Sequence, residues 1–134
     1  GWFGDAGERL GMLDGQAFRA ARVVLDIGAH LELPIPKNAL GFYEGERWTP
    51  ERMQELITSH TLVEGPYVVD EVNRYLGWPG QAISYKVGEK VWLDARADAR
   101  RRAGASFDLK AFHAGGLDLG PMGLDPLRAE LGRL

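Results

Sequence analysis

The sequence predicts an all-α fold, an irregular helical bundle of about five to six helices with glycine- and proline-rich connections. Three observations carry this expectation. Apolar residues recur at three- and four-residue steps along most of the chain. No run alternates β-branched residues in the manner of a strand. The 18 glycines and 7 prolines fall mainly between the periodic stretches, where such residues stop or start helices. A length of 134 residues suits one helical region, residues 1–134, with enough chain to bury a core.

The elements follow in order. Residues 1–11 read as an N-terminal linker. Residues 12–32 are the strongest helical segment, with Leu13, Ala17, Ala21, Val24, Gly28 and Leu31 in period. Leu33-Pro34-Ile35-Pro36 ends it, because a residue before proline is pushed out of the α region. Residues 33–48 form a loop. Thr49-Pro50-Glu51 opens a second helix, with a threonine cap, proline in the first position and an acid in the first turn. Gly65-Pro66 opens a third, which Gly77 closes. A long helix runs from about 80 to 102 and stops at Gly104. Ser106 or Asp108 caps a short helix to about His113, residues 114–124 form a glycine-rich loop, and Asp125-Pro126 starts a last short helix. Gly28 and Gly88 lie inside helices, where glycine costs about 1 kcal/mol against alanine, so close approach of another backbone or a ligand is expected there. No internal repeat, no heptads and no long charge block are found.

Composition removes several function classes. Hydrophobic residues at 45% and charged residues at 26% describe a globular chain, not a disordered one. A net charge of −3 speaks against a protein that reads nucleic-acid phosphates. Arg100-Arg101-Arg102 is better explained as the basic end of a helix. The lack of cysteine removes disulfides, thiolate metal sites and a cysteine nucleophile. No run reaches membrane-span length and no signal peptide is visible; the compartment stays open. His30, His60 and His113 match no local metal motif and HExxH is absent, so no metal ligand is assigned in this chain. His60 and His113 read as helix-end histidines. The first residue is glycine, which leads us to expect a processed or truncated product.

Two constellations carry chemistry. On a wheel of the first helix, Arg19, Arg22, Asp26 and His30 fall in one narrow arc among apolar and small residues. A surface helix normally has a wide polar face, so this helix is expected to be surrounded on most sides, its charged column facing a strip of solvent or a polar cavity. Arg22 and Asp26, and Asp26 and His30, stand four apart and can touch. An aspartate one turn before a histidine fixes its tautomer and favours its charged form, and such a histidine could donate to a developing oxyanion. The bland alternative is an ion-pair column with a satisfied histidine. The second constellation is Trp78-Pro79-Gly80-Gln81-Ala82-Ile83-Ser84-Tyr85-Lys86-Val87-Gly88, where Gln81 and Tyr85 share the face of the long helix expected to be buried. They either satisfy loop backbone or project into a cleft as donors.

Three stretches carry a resemblance: RAARVVLDIGAHLEL at 19–33, RYLGWPGQAISYKVGE at 74–89 and FDLKAFHAGGLDLGPMGLDPLRAEL at 107–131. Together they resemble the C-terminal part of the bacterial "domain of unknown function 885" proteins. Asp26-x-Gly28-x-His30 and Pro79-Gly80-Gln81-Ala82-x-x-Tyr85-Lys86-x-Gly88 are the most specific matches. That family is longer than this chain, largely helical, and similar to zinc metallopeptidases of the gluzincin type. The resemblance implies a fragment of a larger helical fold, with zinc held upstream in the full-length parent and no cofactor here. In gluzincins a histidine and a tyrosine that follow the metal ligands stabilise the tetrahedral oxyanion. By that analogy His30 and Tyr85 are catalytic, Asp26 orients His30, and Arg19, Arg22 and Gln81 bind a peptide-like substrate.

The expected partners are therefore the missing N-terminal part of the parent, a peptide-like substrate, and other copies of the chain through exposed apolar faces. The isolated chain is expected to be inactive. The competing expectation is a non-catalytic helical interaction or scaffold domain.

Overall fold

The computed structural model describes residues 4–134. Among these the chain is all-helical: α1 (Ala6–His30), α2 (Pro50–His60), α3 (Pro66–Gly77), α4 (Ser84–Ala103), a short 3-10 turn (Gly104–Ser106), α5 (Leu109–Asp118) and α6 (Leu124–Leu131). Packing divides the chain into two compact units, with the boundary along the sequence between Lys86 and Val87, inside α4. The sequence reading treats 1–134 as one helical region. Helical period shows that a face is apolar but not which helix covers it, so two separate cores look like one.

In the first unit α1, α2 and α3 pack together. Leu25, Met53, Ile57, Val68, Val72, Tyr75 and Ala82 form its buried core, flanked by Phe18, Trp48 and Leu56. The Asp5 carboxylate caps α1 by accepting from Glu8 N–H at 2.9 Å. Thr49 caps α2 by accepting from Arg52 N–H at 3.3 Å, with Pro50 in the first turn. The long connection between α1 and α2 is tied by two backbone bonds between Ile35 and the Gly45-Glu46 pair, and Ile35 is buried beneath it. Asn38 Oδ1 accepts from Leu40 and Phe42 N–H while its amide donates to Pro36 and Phe42 carbonyls.

In the second unit, Ala95 and Ala99 of α4 pack with Phe112 of α5 and Leu131 of α6. Trp92, Phe107, Leu119 and Leu127 close this smaller core. Gly116 lies in α5 because a Cβ there would meet the Trp92 ring at 2.5 Å.

Several boundaries differ from the sequence reading. The linker set at 1–11 is helical from Ala6, since the Asp5 cap satisfies the first turn despite the glycines around it; residues 1–3 lie outside the described residues. The glycine-rich loop set at 114–124 shrinks, because α5 runs through Gly115 and Gly116 to Asp118. The long helix begins at Ser84 rather than 80; residues 79–83 are turns, and Gly80 has φ +80°. Gly28 is explained by a side chain, not by a backbone or ligand: a Cβ there would meet the Trp48 indole at 2.3–2.9 Å. Gly88 has no such reason, its nearest neighbour being Leu124 at 4.0 Å.

The first helix is not surrounded on most sides. Its charged column faces inward, with Arg22 and Asp26 buried, while Leu10, Leu13, Ala17, Ala20, Val24 and Ile27 are exposed. These six alternate steps of three and four, the a/d spacing of a coiled-coil seam. The heptad pattern went unread because two of its members are alanines and the helix starts six residues earlier than the periodicity suggests. The set Leu13, Ala17, Ala21, Val24, Gly28 and Leu31 mixes two faces: Ala21 and Gly28 are buried and the other four are exposed.

Candidate functional site

The first unit gathers polar side chains from α1, α3 and the turns before α4 into one cluster. Helical spacing puts Arg19, Arg22, Asp26 and His30 on the inner side of α1. Glu71, Arg74 and Tyr75 stand three and four residues apart on α3, so they can meet in one turn.

Asp26 is 2% exposed, and its two oxygens accept from the Gly80 N–H at 3.0 and 3.2 Å. The positive φ of Gly80, cheap only for glycine, belongs to the turn that presents this N–H. His30 Nε2 lies 3.2 Å from Asp26 Oδ1 and 3.0 Å from the Tyr75 carbonyl oxygen. Both neighbours are acceptors, so Nε2 carries the proton, and the neutral ring leaves Nδ1 as an acceptor. Asp26 and His30 are thus brought together as their spacing suggests. The donor nitrogen, however, is already engaged inside the fold, so His30 could donate to a substrate oxygen only as imidazolium, through Nδ1.

Glu71 is buried and takes a bidentate pair from Arg74, with Nε at 3.1 Å and Nη2 at 2.7 Å, and a hydrogen bond from the Tyr75 hydroxyl. Burial alone would raise its pKa. The Arg74 and Tyr75 hydrogen bonds and the Arg74 and Arg22 charges outweigh that, and the carboxyl sits below its ordinary value. Tyr75 is pushed well above the usual phenol range by burial and by its bond to Glu71. Arg74 also donates to Gln81 Oε1, which leaves the Gln81 amide nitrogen as the donating end of that side chain.

Arg22 is 7% exposed. Its guanidinium carbon lies 5.4 Å from the Phe18 ring centre, 5.4 Å from Tyr75 and 5.5 Å from Tyr85. Its buried Nε has no hydrogen-bond partner. Arg19 lies 5.1 Å from the centre of the same Tyr85 ring and donates to Gly15 O at 3.3 Å. Tyr85 itself is 56% exposed. The expectation that Gln81 and Tyr85 share a buried helical face fails, because α4 starts only at Ser84 and Gln81 belongs to the preceding turn. Two routes still bring them to one cluster: Gln81 through Arg74, Tyr85 through Arg22.

The sequence reading missed Glu71, Arg74, Phe18 and the Gly80 N–H, and took Tyr75 only as core. A signal for Glu71 existed: it falls on the same helical face as Val68, Val72 and Tyr75, where a lone carboxylate needs a partner. The other two histidines stand apart. His60 Nδ1 lies 3.0 Å from the Leu56 carbonyl oxygen at the exposed end of α2. His113, in the second unit, lies against Trp92 and Phe112, and its buried Nε2 has no partner.

Among the described residues, no group of three or more His, Cys, Asp or Glu could hold a metal ion. No described helix is long and apolar enough to cross a membrane. A family model described as "Bacterial protein of unknown function (DUF885)" matches residues 1–131. No curated protein matches the chain.

Proposed function

The chain belongs to this bacterial family of unknown function, DUF885, and from that premise we propose that its first unit forms the substrate-facing, non-metal side of a peptidase-like hydrolase cleft. The observation that carries the reading is the inward-turned column on α1. Buried charges are costly unless paired or used, and here Arg22 and Asp26 are buried together beside the half-buried Arg19 and His30.

In this reading Tyr85 and protonated His30 donate to the oxyanion, and Asp26 together with the Tyr75 carbonyl fixes the His30 ring. Arg19, Arg22 and Gln81 hold the substrate. The described residues do not fit a zinc site. Zinc, where the parent uses it, would be held outside them and would supply Lewis-acid polarisation of the scissile carbonyl.

In the parent protein, assayed on a panel of N-blocked dipeptides, His30→Ala and Tyr85→Phe are each expected to lower kcat by about 10²-fold with a much smaller change in KM, as for loss of one oxyanion donor. Unchanged turnover in both variants removes the catalytic assignment. The 134-residue chain alone is expected to show no hydrolysis.

A second reading, a helical interaction module, is favoured by the exposed seam on α1. It predicts that the seam, not the polar cluster, governs what the protein does.

A further inference from the structure

We infer that Arg22 is the anchor of a binding site for a single carboxylate, the free C-terminal carboxylate of a short peptide. This rests on the reading of the cluster as a substrate-facing site and names the substrate class.

The case begins with what Arg22 lacks. Every other charged member of the cluster has a polar partner. Asp26 has Gly80 and His30, Glu71 has Arg74 and Tyr75, Arg74 has Glu71 and Gln81, and Arg19 has the Gly15 carbonyl. Arg22 is more than nine-tenths buried, yet no described residue accepts a hydrogen bond from its guanidinium, and its Nε is enclosed without a partner. A guanidinium always carries its charge and offers five donors in a planar fork. Leaving such a group buried and unbonded costs free energy that a protein normally avoids. Phe18, Tyr75 and Tyr85 frame it. Aromatic faces offset part of the desolvation cost by cation–π attraction, but they accept no conventional hydrogen bond. The fork is thus held in place with no protein acceptor on it, an arrangement suited to a bidentate acceptor.

Charge balance sets the ligand's valence. Arg19, Arg22 and Arg74 bring three positive charges, and Asp26 and Glu71 bring two negative ones. Counting these five fixed charges, the cluster keeps one positive charge, which a monoanion cancels. A dianionic phosphate would overshoot and would face Glu71, whose carboxylate is near enough to feel the Arg22 charge. The exposed Tyr85 ring gives the site an apolar wall, and the Gln81 amide nitrogen offers a donor to a peptide carbonyl. These features fit a peptide end better than a bare small acid.

The test uses the 134-residue chain and three probes: N-acetyl-Ala-Ala as the free acid, the same dipeptide as its amide, and acetate. Binding is read from the arginine Nε–Hε NMR signals and from the rise in Tm. The acid is expected to shift the Arg22 signal saturably, and to bind about tenfold or more tightly than the amide, as a charge-assisted bidentate pair does. Acetate is expected to bind more weakly than the dipeptide acid. Arg22→Lys keeps the charge but loses the fork and is expected to weaken acid binding about tenfold. Equal binding of acid and amide, or an Arg22 signal that does not move, overturns the site. Acetate binding as tightly as the dipeptide overturns the peptide as its source. These arms use the wild-type chain, so they stand even if Arg22 variants fold poorly. Loss of acid preference with His30→Ala and Tyr85→Phe still impairing kcat in the parent overturns this inference alone. Acid preference with turnover unaffected overturns the catalytic reading alone.

Discussion

Gly28 and Gly88 are both glycines inside helices, and at the residue scale they are opposites. At Gly28 the Trp48 indole occupies the place of a side chain. Gly28→Ala should therefore destabilise the first unit by about 1–3 kcal/mol, the cost of overpacking. At Gly88 a methyl meets nothing nearer than 4.0 Å, so Gly88→Ala should gain up to about 1 kcal/mol from helix propensity. Thermal melts of the two variants, with opposite signs of ΔTm, check this; a destabilised Gly88→Ala would show that its space is used. Residue by residue, the site was partly legible. Asp26 and His30 pair because a four-residue step on a helix forces proximity. The Gly80 N–H could not be foreseen, since its partner lies 54 residues away in sequence. Tyr85 shares a helical side with Ala95 and Ala99, which are buried, but it stands at the start of α4 and is 56% exposed, so period alone misplaces it.

At the scale of the element, α3 carries an acid–base network on its inner face. The Glu71 carboxyl lies below its ordinary value of 4.5 in the fold. Its contribution to stability is thus complete above that ordinary value and is lost as pH falls through the lowered folded value. Tyr75 has the opposite sense: its raised value means a contribution present below 10 and lost as pH rises through the folded value. Tm measured from pH 6 down to about 3 should fall more steeply for the wild type than for Glu71→Gln, because the variant has no carboxyl to protonate there. Parallel curves would show that Glu71 contributes no acid sensitivity. Helix positions were legible where caps and breakers are local, as at Thr49-Pro50 and Gly65-Pro66. They were not legible at Gly115-Gly116, where the space taken by Trp92 and Leu134 decides that glycine stays within a helix.

For the whole molecule, the expectation of exposed apolar faces meets α1, whose outer side shows Leu10, Leu13, Val24 and Ile27 to solvent. Exposed apolar stripes of this length mark association surfaces, and the a/d spacing suits a second helix. The chain in isolation should self-associate, with apparent mass rising with concentration in light scattering after size exclusion. Val24→Glu with Ile27→Glu should return it to a monomer that keeps its helical content, since neither side chain is in the core. A wild-type chain monomeric at every concentration would refute this. The all-helical class was legible from period and punctuation alone. The inversion of α1, polar inside and apolar outside, was not, because a wheel shows the width of a stripe but not the direction it faces.

The Asp26 carboxylate that receives the Gly80 N–H also closes a long loop of chain. Contacts of such separation repay their closure entropy only after the segments between them are ordered. The helices of the first unit can form locally, but the junction of α1 with the turn before α4 has to wait for them. The junction at Gly80 is therefore among the last parts of the first unit to assemble and among the first to open, so the amide protons of the turn at 79–83 should exchange with solvent ahead of those buried around Leu25 and Ile57.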